Sequence, residues 1–199
     1  MNEDRLSQIV EFCKLIDKEK FVQRRTYLSD RERLENDAEH AWHMAVMALL
    51  LSEYANEKLD VLKVVSMLLV HDLVEIYAGD TFAYDEEGKK TQREREAAAA
   101  ERLYSQLPED LAGRMRSLWD EFEEWGSAES RFAHTLDNFQ PLLLQHASSG
   151  RAWEGGRRLS EVLERNARSA EGSRTLWEFA REHFIQPEID KGNLIDDID

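Results

Sequence analysis

Six histidines are spread along the chain, at positions 40, 43, 71, 134, 146 and 183, and His71 is followed directly by Asp72. The doublet ends an apolar run, "SMLLVHD", so both side chains start from a buried setting. An ionised carboxylate beside an imidazole is costly there unless a partner or a metal compensates it. Two further groups of the right type lie on other segments, His40 in "NDAEHAWH" and Asp137 in "FAHTLDNFQP". Two imidazoles and two carboxylates make a mixed N/O set that suits one divalent cation such as Mn²⁺, Co²⁺, Fe²⁺, Ni²⁺, Zn²⁺ or Mg²⁺ and suits soft ions poorly. Helices packed around one core can bring four such residues together. The same residues also fit a plainer reading, as hydrogen-bonded polar groups of a helical core, and spacing alone leaves the two level.

The elements that must position these residues are helical. Leu6, Ile9, Val10, Cys13 and Ile16 recur at helical spacing and predict an amphipathic helix from residue 3 to about 18. After a charged loop, Asn36 or Asp37 can cap a second helix that carries His40 in its first turn and runs to about residue 56. Residues 60 to 78 are expected as one helix, bearing His71 and Asp72 and stopped by Gly79. "DTFAYDEEGKK" reads as a loop over a pocket. Helices follow over "TQREREAAAAERLYSQL", "PEDLAGRMRSLWDEFEEW" and "SAESRFAHTLDNFQPLLLQHASS", the second with its proline in a first turn and the third capped by Ser127. Two more are expected near 156–169 and 173–186, and the acidic tail at about 190–199 is expected to be mobile. With no repeat and no linker, the reading is all-α, a single domain over 1–199 with seven to nine helices.

Composition bounds what such a domain can do. Only three prolines and nine glycines among 199 residues, with 34% charged residues, favour helices with a well-solvated surface. A formal charge of −15 argues against binding a nucleic-acid polymer, which needs clustered Lys and Arg. It leaves room for a small phosphorylated ligand whose charge is met locally. The single cysteine, Cys13, excludes an internal disulfide and fits a reducing cytoplasm. The longest apolar run, "AVMALLLSEYA", is too short to span a bilayer, so no membrane partner is expected.

"HAWHMAVMA", "LLVHDLVEIYAGD" and "AESRFAHTLDNFQP" together resemble the metal-binding elements of the HD-domain phosphohydrolases, in the order H…HD…D. The longer phrases are most similar to the nucleotidase-like branch that includes the 5′-deoxynucleotidases, over roughly residues 10 to 150. The resemblance implies an HD-domain helical bundle, His40, His71, Asp72 and Asp137 as ligands of one divalent metal, and a homodimer. It also implies that Glu75 helps to position the attacking water and that Asp80 faces the sugar of the substrate. Glu75 follows Asp72 by three residues and shares its helix face. Asp80 begins the loop after the Gly79 stop. The branch's Arg-Trp pair after the first helix is missing, since Lys18-Glu19 stand nearest by position. Arg24 or Arg25 is left to contact the phosphate, and strict preference for deoxyribose is not expected.

The reaction implied is removal of phosphate from a small phosphomonoester, most naturally a (deoxy)nucleoside 5′-monophosphate. Protonation of the leaving oxygen would fall to a water or to Asp80. Two other readings stand beside it: a non-catalytic metal- or nucleotide-binding module, and a two-metal HD phosphodiesterase or oxygenase. The second needs extra histidines between 72 and 137, where only His134 occurs. His43 and His134 read as packing or supporting residues, Trp119, Trp125, Trp153 and Trp177 as core anchors, and residues 93 to 102 as a solvated helix face.

Overall fold

Short polar caps start five of the helices and explain where those begin. A computed structural model describes residues 3–198. Helix α1 (Glu3–Ile16) leads through a 3₁₀ turn into strand β1 (Gln23–Tyr27), which pairs antiparallel with β2 (Leu34–Asn36). The charged loop expected here thus contains a hairpin, with an irregular register between Gln23↔Asn36 and Tyr27↔Leu34. Asn36 then caps α2 (Asp37–Leu51): its side chain accepts from the Glu39 amide while the Glu39 carboxylate accepts from the Asn36 amide. Asp60 caps α3 (Val61–Val70) by accepting from the Lys63 amide.

The helix expected over 60–78 is broken. After Val70 the backbone tightens: the Glu75 amide bonds to Asp72 and the Ile76 amide to Leu73, three residues back rather than four. A short α4 (Glu75–Ala78) follows and ends at Gly79, whose φ of 75° favours glycine. Asp85 bonds to the Gly88 amide and starts α5 (Glu86–Tyr104), so the helix begins ahead of the "TQRERE" run. Pro108 precedes α6 (Glu109–Glu124), and Ser127 caps α7 (Ala128–Ala147) as expected.

Gly155 and Gly156, at φ of 112° and 99°, hold the chain out of helix until β3 (Arg157–Arg158) and α8 (Leu159–Arg165), a shorter helix than 156–169. The last helix, α9 (Arg174–Ala180), widens into a π turn at Arg181–Ile185 and continues as α10 (Gln186–Asp190). The tail is docked rather than loose. β4 (Leu194–Ile195) pairs in parallel with β3, Leu194 is buried, and the Asp197 carboxylate accepts from the amide and hydroxyl of Ser160. Among the described residues, eight α-helices of seven residues or more therefore carry an all-α fold.

α3 sits between two packed clusters. Val64, Met67 and Leu68 join Met44 of α2 and Phe132 and Leu136 of α7 on one side. Val70, with Leu73 and Val74 beyond it, meets Phe12, Leu103 and Trp119 on the other. Leu118 of α6 packs against both. The chain leaving α3 at His71 is thus clamped from both sides, as a site built on its last turn requires.

Candidate metal centre and substrate cavity

The four residues expected to bind metal converge from three helical segments. His40 stands in the first turn of α2, fully buried, where the Asn36 cap fixes the start of the helix. His71 and Asp72 occupy the tightened turn after α3. Asp137 lies mid-way along α7, four residues before Pro141, which has no N–H to give the Asp137 carbonyl. His40 Nε2 is 3.0 Å from Asp137 Oδ1, His71 Nε2 is 3.1 Å from Asp72 Oδ2, and His71 Nε2 is 4.0 Å from Asp137 Oδ1. The imidazoles lie 5.8 Å apart, centre to centre. Donor atoms of His40, His71 and Asp72 all fall within 4.8 Å of one another.

Hydrogen bonds behind the imidazoles decide which nitrogen faces inward. Gln140 donates its amide N–H to the Glu35 carboxylate at 2.9 Å, so its carbonyl oxygen must be the atom 2.9 Å from His40 Nδ1. That oxygen only accepts, hence Nδ1 carries the proton and Nε2 presents a lone pair. His71 follows the same logic: Nδ1 donates to the Leu68 carbonyl at 2.9 Å, leaving Nε2 without a hydrogen-bond partner. At both histidines Nε2 therefore faces carboxylate oxygens in a buried site. Only a cation between them, a proton or a metal, makes this arrangement favourable. Burial alone would lower the pKa of His71, but Asp72 more than offsets it and raises it to about 9. Burial and then Arg24 hold His40 down, to about 4.

The surrounding charges are equally ordered. Arg24 on β1 reaches Asp72 Oδ2 at 2.9 Å, Glu35 at 3.4 Å and Asp37 at 3.6 Å. Its charge is thus matched within the protein. Glu75, one turn beyond Asp72, is buried, and its Oε2 has no partner. Burial first, then Asp72, Asp37 and Asp80, push its carboxyl up to about 12. Burial also raises Asp80.

These features coincide with what the chain is similar to. A model of the HD domain family matches residues 16–177. This chain belongs to the HD domain family. It is 32% identical over 136 residues to the human "5′-deoxynucleotidase HDDC2", covering 68% of this chain and 65% of that protein. The chain thus spans slightly less than two thirds of the length of that relative. "5′-Deoxynucleotidase hdd1" of Schizosaccharomyces pombe is 26% identical over 166 residues, covering 81% of this chain and 82% of its own length. A crystal structure of a "predicted metal-dependent phosphohydrolase" from Magnetospirillum magnetotacticum MS-1 superposes with a TM-score of 0.90 at 43% identity, covering 96% of each chain.

In this HD domain the histidine–aspartate cluster opens into a cavity of 670 Å³, which also exposes Glu75, Asp80, Arg24 and Arg25. Every residue expected at the site lines it except His40, which supports it from beneath. His134 is set aside from metal binding. It donates Nε2–H to the Phe122 carbonyl at 2.8 Å and stacks on the Phe122 ring, with Trp125 edge-on. His43 accepts from the Gln140 amide at 3.1 Å, a supporting contact. Trp125 and Trp153 line the cavity as well as packing.

Several residues that act on the site were not expected. Gln140 and Glu35 orient His40, and the buried Asp37 carboxylate helps to raise the pKa of Glu75. Arg95, expected on a solvated face, donates to the Ala78 carbonyl and the Thr81 hydroxyl, each at 2.7 Å, and so ties down the loop that carries Asp80. Its neighbour Glu96 is buried and also faces the cavity. The sequence holds one faint signal, for Gln140 alone. It sits three residues after Asp137, on the same face of α7.

Proposed function

We propose that His40, His71, Asp72 and Asp137 hold one divalent metal ion and that the protein is a phosphoric monoester hydrolase acting on a small phosphorylated metabolite, a (deoxy)nucleoside 5′-monophosphate. The observation that carries this reading is the pair of inward Nε2 atoms facing the carboxylates of Asp137 and Asp72. The relatives named as 5′-deoxynucleotidases and the neighbour named as a metal-dependent phosphohydrolase support the choice of reaction. Held by these four residues, a divalent ion would supply polarisation of a phosphoryl oxygen and a lowered pKa for water.

The protein's own groups supply the rest. Glu75 lines the cavity with an unpartnered oxygen and orients the attacking water. Asp80, on the loop held by Arg95, meets the sugar and is the side chain placed to protonate the leaving oxygen. Arg25 is the β1 arginine left free to face the substrate, because Arg24 is held by three carboxylates and steadies Asp72.

A two-metal chemistry finds no support here: His134, the one histidine between 72 and 137, has its Nε2 bonded to Phe122. Residues 3–198 read as one domain, since Leu118 links both core clusters. We also read the protein as a cytoplasmic homodimer. Cys13 is free and exposed, and no described helix is long and apolar enough to cross a membrane. Trp42 and Leu49 on α2, with Leu62 and Leu69 on α3, leave an apolar face uncovered that a second copy would bury. Light scattering at micromolar concentration checks the dimer; a monomer under those conditions refutes it.

The experiment for the central reading is phosphate release from a panel of deoxy- and ribonucleoside monophosphates after chelation and re-addition of Mn²⁺, Co²⁺, Zn²⁺ or Mg²⁺. Turnover that disappears with chelation and returns with metal is expected, with a modest deoxy-to-ribo ratio. Nucleotide binding without phosphate release under any metal points instead to a non-catalytic module.

A further inference from the structure

A phosphate dianion entering this cavity meets a wall in which carboxylates outnumber cations, on a protein of formal charge −15. It needs a local positive group that is free to bind it. Among the described residues, four cationic side chains line the cavity: Arg24, Arg25, Lys89 and Arg165. Arg24 is surrounded by Asp72, Glu35 and Asp37, and turning to a substrate would strip three buried carboxylates of their counter-charge. Lys89 pairs with Glu86 at 2.7 Å. Arg25 is exposed, and the site carboxylate on which its charge acts is Asp80, on the sugar side of the cavity.

Arg165 differs from all three. It ends α8, and its guanidinium Nη2 lies 3.4 Å from Asp137 Oδ2, a long contact with the carboxylate oxygen that His40 does not use. No other hydrogen bond engages it among the described residues. The side chain is 36% exposed, so it is open to the cavity rather than enclosed. A guanidinium has five N–H donors in a planar fork that matches two phosphate oxygens at once. Through Asp137 it stands one carboxylate away from both imidazoles, since Asp137 Oδ1 lies 3.0 Å from His40 and 4.0 Å from His71.

We infer that Arg165 is the arginine that binds the phosphate of the substrate beside the His40–His71–Asp72–Asp137 cluster. This rests on the phosphohydrolase reading above, and it moves the phosphate contact from β1 to the C-terminal helices. The substrate then spans the cavity, with its phosphate between the cluster and α8 and its sugar toward Asp80 and Arg25.

The test is calorimetric titration of inorganic phosphate into the Mn²⁺-loaded protein, with metal content measured in parallel. Wild type, Arg165→Ala, Arg165→Lys and Arg25→Ala are compared. Losing charge-assisted hydrogen bonds to phosphate should weaken binding by about 10- to 100-fold in Arg165→Ala. Arg165→Lys should fall between the two, because it keeps the charge and loses the fork. Arg25→Ala should bind inorganic phosphate nearly as wild type does, and all four should hold equal metal. Added guanidinium ion should restore part of the binding to Arg165→Ala, which a purely structural role would not allow. Wild-type affinity in Arg165→Ala, or the main loss in Arg25→Ala, overturns the inference alone. Loss of metal in both Arg165 variants also overturns it, by assigning the residue to holding Asp137. A wild type that carries metal yet binds no phosphate overturns the phosphohydrolase reading with it.

Discussion

Gln140 is the residue on which the orientation of His40 turns, and replacing it tests the tautomer directly. The side chain is fully buried and makes hydrogen bonds of 2.9 Å to His40, 2.9 Å to Glu35 and 3.1 Å to His43. Leucine has nearly the same volume and none of these groups. In Gln140→Leu the His40 Nδ1–H and the Glu35 oxygen facing Gln140 lose their partner in a buried site, at about 1–3 kcal/mol for each orphaned group. At about 2–4 °C per kcal/mol for a chain of this size, the metal-free melting temperature should drop by on the order of 10 °C. Freed from its carbonyl partner, the imidazole can rotate or change tautomer, and metal affinity should fall by about 10- to 100-fold.

A second substitution separates the two effects. Gln140→Glu keeps an acceptor for His40 Nδ1–H and sets a carboxylate against Glu35, so stability should fall while metal affinity stays near that of wild type. Melting curves with and without chelator, and metal competition against a coloured chelator, read both quantities. A folded Gln140→Leu protein with wild-type metal affinity would refute the tautomer assignment.

Other outcomes follow from the same geometry. Asp72→Ala should abolish both metal content and turnover, read by elemental analysis and phosphate release. Glu75→Ala should retain the metal and lose most of the rate; a variant of normal activity contradicts the role given to Glu75. Arg95→Ala should release the loop bearing Asp80, raising KM for a nucleotide more than it changes metal content. His134 is held neutral, its pKa lowered to about 2 first by burial. Its folded value lies below its unfolded one, so its contribution to stability is complete above about pH 6.5 and declines by about 1.4 kcal/mol per unit as pH falls below that. Replacing it by Phe should flatten the pH dependence of unfolding between pH 6 and 4, and an unchanged slope would count against the shift.

The sequence made the four converging residues readable because they sit in an ordered motif with local reasons for their placement. Asn36 and Ser127 announce the helices that carry His40 and Asp137, and both caps form as their spacing suggests. The break after Val70 was hidden, since "VHDLVEIYA" keeps its apolar periodicity while the backbone shifts to tighter bonds. Gln140, Glu35 and Arg95 were illegible for another reason: their roles exist only across tertiary contacts. Gln140 meets His40 across 100 positions and Glu35 across 105, and no local pattern encodes such a pair. Arg95 lies in a run of alternating charges that reads as solvated, yet the loop folds back onto it. The docked tail depends on the Gly155–Gly156 turn presenting β3 to β4, again a long-range pairing.

The proposed function stands or falls on one divalent ion bound by His40, His71, Asp72 and Asp137. Crystals of the Mn²⁺-loaded protein, measured for anomalous scattering at the manganese edge, test it most directly. A single strong peak per chain is expected, bonded to His40 Nε2, His71 Nε2 and oxygens of Asp72 and Asp137, with Gln140 still accepting from His40 Nδ1. Two peaks per chain, a peak elsewhere in the cavity, or a loaded protein with none at this cluster would contradict it.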